Sequence, residues 1–208
     1  MKESARSWLA ALGLFLVPVL MPVLVPVLGG TIGAGPASAE PRVSETIKYY
    51  DVGGRDAREV RANLNRFGPA DKNQKRFDAI TRWSVSWNYQ YRQANGRCAI
   101  ASVTSKVDVT VTFPRLKADA STPPALRNAF GNYTAKLMVH EKGHAQTGIN
   151  IARRIETGIR ALAPEPNCTV LAGVANRLGH TLDGQGSRAD DEYDTRTQHG
   201  ATQGATFP

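Results

Sequence analysis

Residues 81–114 read TRWSVSWNYQYRQANGRCAIASVTSKVDVTVTFP, and their periodicity decides the fold. Thr81, Trp83, Val85, Trp87, Tyr89 and Tyr91 alternate with Arg82, Ser84, Ser86, Asn88 and Gln90. A period of two with aromatic and β-branched residues on one side predicts a strand with that side buried. Asn95-Gly96 supplies a hairpin turn. Val103, Val107, Val109, Val111 and Phe113 then alternate with Lys106, Asp108, Thr110 and Thr112, and Pro114 is expected to end this second strand. Two long antiparallel strands sharing an apolar face need a cover.

The cover lies downstream. Thr122 can cap a helix and Pro123 suits its first position. Leu137, Ala145, Ile149, Ala152, Ile155, Ile159 and Leu162 keep a helical period until Pro164 and Pro166, with Gly131-Asn132 as an expected break or kink. A further helix is expected around Val170–Leu182. The Gly/Gln/Thr/Asp-rich stretch beyond Gly184 reads as irregular. Upstream, Ile47–Val52 reads as a strand ended by Gly53-Gly54. Residues 56–66 read as a short helix closed by Gly68-Pro69. The expected fold class is α+β: a small, mostly antiparallel sheet packed on one long helix.

That helix carries His140-Glu141-Lys142-Gly143-His144. Residues four apart share a helix face, so His140 and His144 can offer two imidazole nitrogens to one metal. Glu141 lies beside the pair, where it can act as general base toward a metal-activated water. Imidazole ligands and a catalytic role suit Zn²⁺, which takes three protein ligands and leaves one position open.

A third ligand is required. Glu156 lies twelve residues beyond His144, about 18 Å along a continuous helix, and is out of reach. His180, His199 and Asp194 remain. Glu192-Tyr193-Asp194-Thr195-Arg196-Thr197-Gln198-His199-Gly200 concentrates a Tyr, an Asp and a His. His199 is the expected third ligand and Asp194 the alternative. Tyr193 is the candidate donor to a developing oxyanion.

The N-terminus bears on location. Lys2 and Arg6 precede a charge-free run from Trp8 to Leu28, and Ala37-Ser38-Ala39 forms a small-x-small cleavage signature. Residues 1–39 are therefore read as a signal peptide and 40–208 as one exported domain, secreted or periplasmic. A retained membrane anchor is the rival reading, opposed by Pro18, Pro22 and Pro26. Cys98 and Cys168 are the two cysteines, and in an oxidising compartment they are expected to pair. The formal net charge is +8, to which residues 1–39 contribute one unit. The basic residues are scattered and no aromatic-interleaved motif accompanies them, so no nucleic-acid partner is expected. After signal cleavage no membrane partner is expected either.

Several of these stretches together resemble a bacterial family described as predicted secreted zinc-dependent proteases, long catalogued as a domain of unknown function. The resemblance covers most of residues 45–200. It rests on Tyr49-Tyr50-Asp51-Val52-x-Gly54, Ala79-x-Thr81-x-Trp83-x-Val85-x-Trp87, Cys98-x-Ile100 and Phe113-Pro114. It continues through His140-Glu141-x-x-His144, Cys168 and Tyr193-Asp194-x-x-Thr197-x-His199-Gly200. It implies a zincin-like site, and so a zinc metalloprotease acting on a peptide or protein substrate.

Two other functions fit the same residues. One is an exported, non-catalytic metal-containing binding module, with Trp83, Trp87, Tyr89 and Tyr91 as a contact face. The sheet core is the simpler use of those four residues. The other is an amidase acting on cell-wall peptides. Substrate, cleavage preference and oligomeric state leave no mark in the sequence.

Overall fold

The computed structural model describes residues 40–208, so the expected signal peptide, 1–39, lies outside the described residues. Strand β1 (Arg42–Val52) leads into helix α1 (Ala57–Phe67), which Asp56 caps by accepting a hydrogen bond from the Glu59 N–H. Strands β2 (Ile80–Ala94) and β3 (Arg97–Leu116) follow, then helices α2 (Pro124–Arg160) and α3 (Cys168–Thr197) and a 3₁₀ turn, Ala201–Gln203. A three-stranded sheet packed on a long His140/His144-bearing helix makes the fold α+β, as expected.

The sheet order is β1-β3-β2. β2 and β3 form the expected antiparallel hairpin, with Asn95 (φ 52°) and Gly96 (φ 72°) in the left-handed region that a tight hairpin turn uses. β1 joins the other side of β3 in parallel, Ile47 opposite Val111, so the sheet is mixed. Helix α1, which packs Val60 and Leu64 into the core, carries the chain past β3 to β2, and the hairpin then returns β3 between the two, parallel to β1. Pro114 does not end β3, which runs on to Leu116. β2 pairs only as far as Ile80 opposite Thr112, so Pro114 lies where β3 has a free edge and a missing N–H breaks no ladder bond.

One face of the sheet is covered by α2, whose buried positions run from Leu126 to Ile159. Val107, Val109, Val111 and Phe113 of β3 meet Phe130, Tyr133, Leu137 and Ala145 of α2. Pro123 is the N-cap and Pro124 the first helical residue, one position later than expected. Thr122 instead closes a turn with Asp119. No break occurs at Gly131-Asn132: α2 is continuous over 37 residues, with core contacts on both sides of that pair. Cys98 and Cys168 form a disulfide, joining the start of β3 to the first residue of α3.

The largest departure is α3. It runs 30 residues, through the stretch beyond Gly184 that reads as irregular. Packing overrides propensity here. Gly179 lies against the Trp87 ring and Gly186 against Trp83 and Ile151, where an added Cβ would approach to 2.4 Å and 2.6 Å. Gly148 of α2 receives Trp83 from the other side, so Trp83 is clasped between two helices. These glycines are contact sites inside helices. Among the described residues no helix is long and apolar enough to cross a membrane.

Candidate metal centre

The extended α3 brings Asp190, Tyr193, Asp194 and Thr197 onto the helix face that meets His140 and His144. His140 and His144 are both buried, 3% and 7% exposed, one turn apart on α2. Their Nε2 atoms lie 3.2 Å apart, and each is 3.2 Å from Asp194 Oδ1. The three atoms form a near-equilateral triangle. A tetrahedron of that edge has its centre about 2.0 Å from each corner, the length of a zinc–nitrogen or zinc–oxygen bond.

Hydrogen bonds on the far sides of the rings orient them. His140 Nδ1 lies 3.0 Å from Gln203 Oε1, and His144 Nδ1 lies 2.9 Å from Asp190 Oδ1. Gln203 Oε1 and the carboxylate are acceptors, so each Nδ1 carries a proton, and the Nε2 that faces inward is the nitrogen whose lone pair a metal would take. Asp194 Oδ1 is buried and has no hydrogen-bond partner. Three lone-pair donors facing one point, one of them an orphaned carboxylate oxygen, fit a bound cation. Burial disfavours a charged His144, but Asp190 and Asp194 outweigh it and push its pKa up to about 10. Burial raises Asp194, and the facing imidazoles outweigh that effect and hold it below the usual carboxylate range.

The residues that could hold a metal are thus His140, His144 and Asp194. Asp194, the alternative third ligand in the sequence reading, supplies the third corner. His199, the first choice, stands next to it. Its Nδ1 is 3.2 Å from Asp194 Oδ1, and its ring is 46% exposed and packs on Phe77 at 5.2 Å between centroids. Gln198 and His199 both have positive φ, a reversal that ends α3. His180 is elsewhere, edge-on to Trp87 at 5.3 Å. Glu156 lies three turns along α2, as its spacing requires.

Glu141 is buried, and its Oε2 accepts a 2.6 Å hydrogen bond from Thr81 Oγ1. Burial raises its pKa most, opposed by the Thr81 bond and by His144 and His140, with a net rise. Tyr193 reaches the site, with its ring stacked on His140 at 5.1 Å. Its hydroxyl donates to the His140 carbonyl at 3.2 Å, contacts the Gln203 amide and fills the space left by Gly143. Those commitments point it at the protein, and it does not line the cleft.

The cleft in front of the three donors has a volume of about 470 Å³. Glu141, Thr81, His199, Phe77 and Arg82 line it, and so do Tyr133 and Asp78 at its base. Tyr133 donates to Asp78, which also binds the Arg61 guanidinium. Burial, then Asp78, pushes the Tyr133 pKa up, so it stays a donor. A second groove, lined by Thr81–Val85 of β2 and by Asp183, Ser187, Asp190 and Asp191 of α3, shares four residues with the cleft and continues it.

Sequence reading missed Thr81, Asp190 and Gln203. The signal for Asp190 was present: Asp190, Tyr193, Asp194 and Thr197 are spaced i, i+3, i+4, i+7, one helix face, visible once residues 184–197 are helical. Gln203 had no signal, because a glutamine in a tail carries no spacing. No curated protein matches this chain, and no solved structure does. Residues 47–200, most of the chain and all three converging donors, match the family described as "Bacterial protein of unknown function (DUF922)", and the chain belongs to that family.

Proposed function

We propose that this protein is an exported zinc-dependent hydrolase that cuts peptide bonds. The observation that carries the reading is the orphaned Asp194 Oδ1, facing both inward-turned imidazole nitrogens at the head of a cleft that Glu141 also lines. His140, His144 and Asp194 would hold the ion. When bound, zinc polarises a carbonyl and lowers the pKa of a coordinated water.

The protein's own groups supply the rest. Glu141 takes a proton from the attacking water as the new C–O bond forms. It passes that proton to the amine as the C–N bond breaks. Burial favours this task by raising the affinity of Glu141 for a proton, and the Thr81 hydroxyl holds the carboxylate in one place. Asp190 keeps the His144 ring oriented, and the cleft is large enough for several residues of an extended chain.

Two histidines and a carboxylate also suit iron(II). Glu141, held beside the donors by Thr81, favours hydrolysis, because oxygen chemistry gives a general base no evident task. A purely structural zinc is disfavoured by a set of three donors opening on a cleft, where a closed set of four is usual. Glu141→Gln tests the mechanism. Its turnover of a peptide library should fall at least a hundredfold while zinc content stays at the wild-type level. Undiminished turnover would sink it. Release of peptides from isolated wall material, with casein left intact, would narrow the reaction to a cell-wall amidase.

A further inference from the structure

The chain does not stop at α3. Gln198, His199 and Gly200 take positive φ and turn it back toward α2, and the 3₁₀ turn Ala201–Gln203 follows. Phe207 anchors the returning segment, 8% exposed, with its ring 5.7 Å from Phe130 and 5.3 Å from Tyr133. This fold-back sets Gln203 behind His140, three residues past the part of the chain that matches the family.

We propose that Gln203 is a positioning residue for the metal centre, fixing His140 with its proton on Nδ1 and its lone pair on Nε2. The inference rests on the metal-centre reading above. Three hydrogen bonds around Gln203 form a closed ring with one consistent direction. His140 Nδ1 donates to Gln203 Oε1 (3.0 Å), Gln203 Nε2 donates to Tyr193 Oη (3.1 Å), and Tyr193 Oη donates to the His140 carbonyl (3.2 Å). The direction orients the amide. With Gln203 reversed, Nε2 would face the His140 Nδ1 proton, and the Tyr193 hydroxyl would have to leave the His140 carbonyl to donate to the amide oxygen. A proton moved to His140 Nε2 would then point at His144 Nε2 and Asp194 Oδ1, where a metal ligand must carry a lone pair. Thr197 Oγ1 is the other polar atom near Nδ1, at 3.5 Å, and it gives its own proton to the Tyr193 carbonyl. It is a poor substitute. His144 has a carboxylate behind it and His140 an amide, so the two ligands are held by unlike partners, one on α3 and one on the tail.

The test uses the whole protein and two readouts. Long-range ¹H–¹⁵N spectra of the metal-free form report the His140 tautomer, and competition with a chromophoric chelator reports zinc affinity. Wild type should show the Nδ1–H tautomer. Gln203→Leu should mix the tautomers and weaken zinc about 10- to 100-fold. Gln203→Glu, whose carboxylate still accepts from Nδ1, should restore both. Gln203→Met, closer in shape, replaces leucine if the tail loosens. Wild-type tautomer and affinity in the leucine or methionine variant would overturn the proposal. Equal losses in the glutamate variant would do the same, since they would mark a merely structural tail. A wild type that binds no zinc would defeat the metal reading, yet its tautomer spectra would still decide the role of Gln203.

Discussion

Two buried carboxylate oxygens lack a hydrogen-bond partner among the described residues, Asp194 Oδ1 and Glu156 Oε2, and α2 meets both. Near the middle of α2, Asp194 faces two imidazole nitrogens whose protons are held on the opposite side of each ring. Three turns on, Glu156 faces a different company. Its other oxygen accepts from the Ser105 N–H at 2.6 Å and the Ser105 hydroxyl at 2.9 Å, and the Arg160 guanidinium stands 3.8 Å from Oε2. Ile155 and Ile159 of an apolar cluster neighbour Glu156 on α2, and among the described residues it belongs to no group of three metal-capable side chains. An unmet oxygen is therefore not a site by itself. Neighbours with lone pairs make it a ligand, whereas neighbours with protons make it a pin that ties α2 to β3.

Breaking the pinned end should cost stability and spare the chemistry. The largest effect is expected for Cys98→Ser with Cys168→Ser. Removing a bridge of 70-residue separation should lower unfolding free energy by about 4 kcal/mol, read in denaturant melts, with zinc affinity of the folded protein unchanged. A zinc affinity that falls in step with stability would mean the two ends of α2 are coupled. Glu156→Ala strands the Ser105 N–H and should cost about 1–3 kcal/mol, again without loss of zinc. A stability unchanged by that substitution would remove Glu156 as a pin.

The metal end should instead answer to pH. Without zinc, His144 is raised from 6.5 to about 10, so at neutral pH its ring carries a second proton, on Nε2 beside Asp194, in addition to the one on Nδ1. Zinc must displace that proton. Affinity should therefore climb about tenfold per pH unit from pH 7 toward 10, with proton release visible in calorimetry across buffers of different ionisation heat. The same group stabilises the metal-free fold fully below pH 6.5, and that contribution fades as pH rises through 10. A pH-independent zinc affinity would contradict the His144–Asp190–Asp194 arrangement.

The two regions also differ in how much the sequence disclosed. His140, Glu141 and His144 were legible because helical spacing alone puts them on adjoining faces. The β2–β3 hairpin was legible from alternation and Asn95-Gly96, and the disulfide from two lone cysteines in a chain expected to be exported. The parallel placement of β1 was not, because period-two patterning names a face but no neighbour. The other half of the site was hidden by Gly184 and Gly186, which read as loop residues. Gly186 is small because Trp83 and Ile151 need the room, a fact of tertiary packing. With a helix expected only to Leu182, Asp190 has no helical register, and spacing gives Asp194 no preference over His199. Thr81 read only as one beat of the β2 alternation, although its hydroxyl holds Glu141.

The most direct test is the metal content of the purified protein by elemental mass spectrometry, beside Asp194→Ala and His199→Ala. The expected result is about one zinc per chain in the wild type, lost in Asp194→Ala and largely kept in His199→Ala. A wild type without bound metal after reconstitution, or zinc lost with His199 and kept without Asp194, would contradict the account.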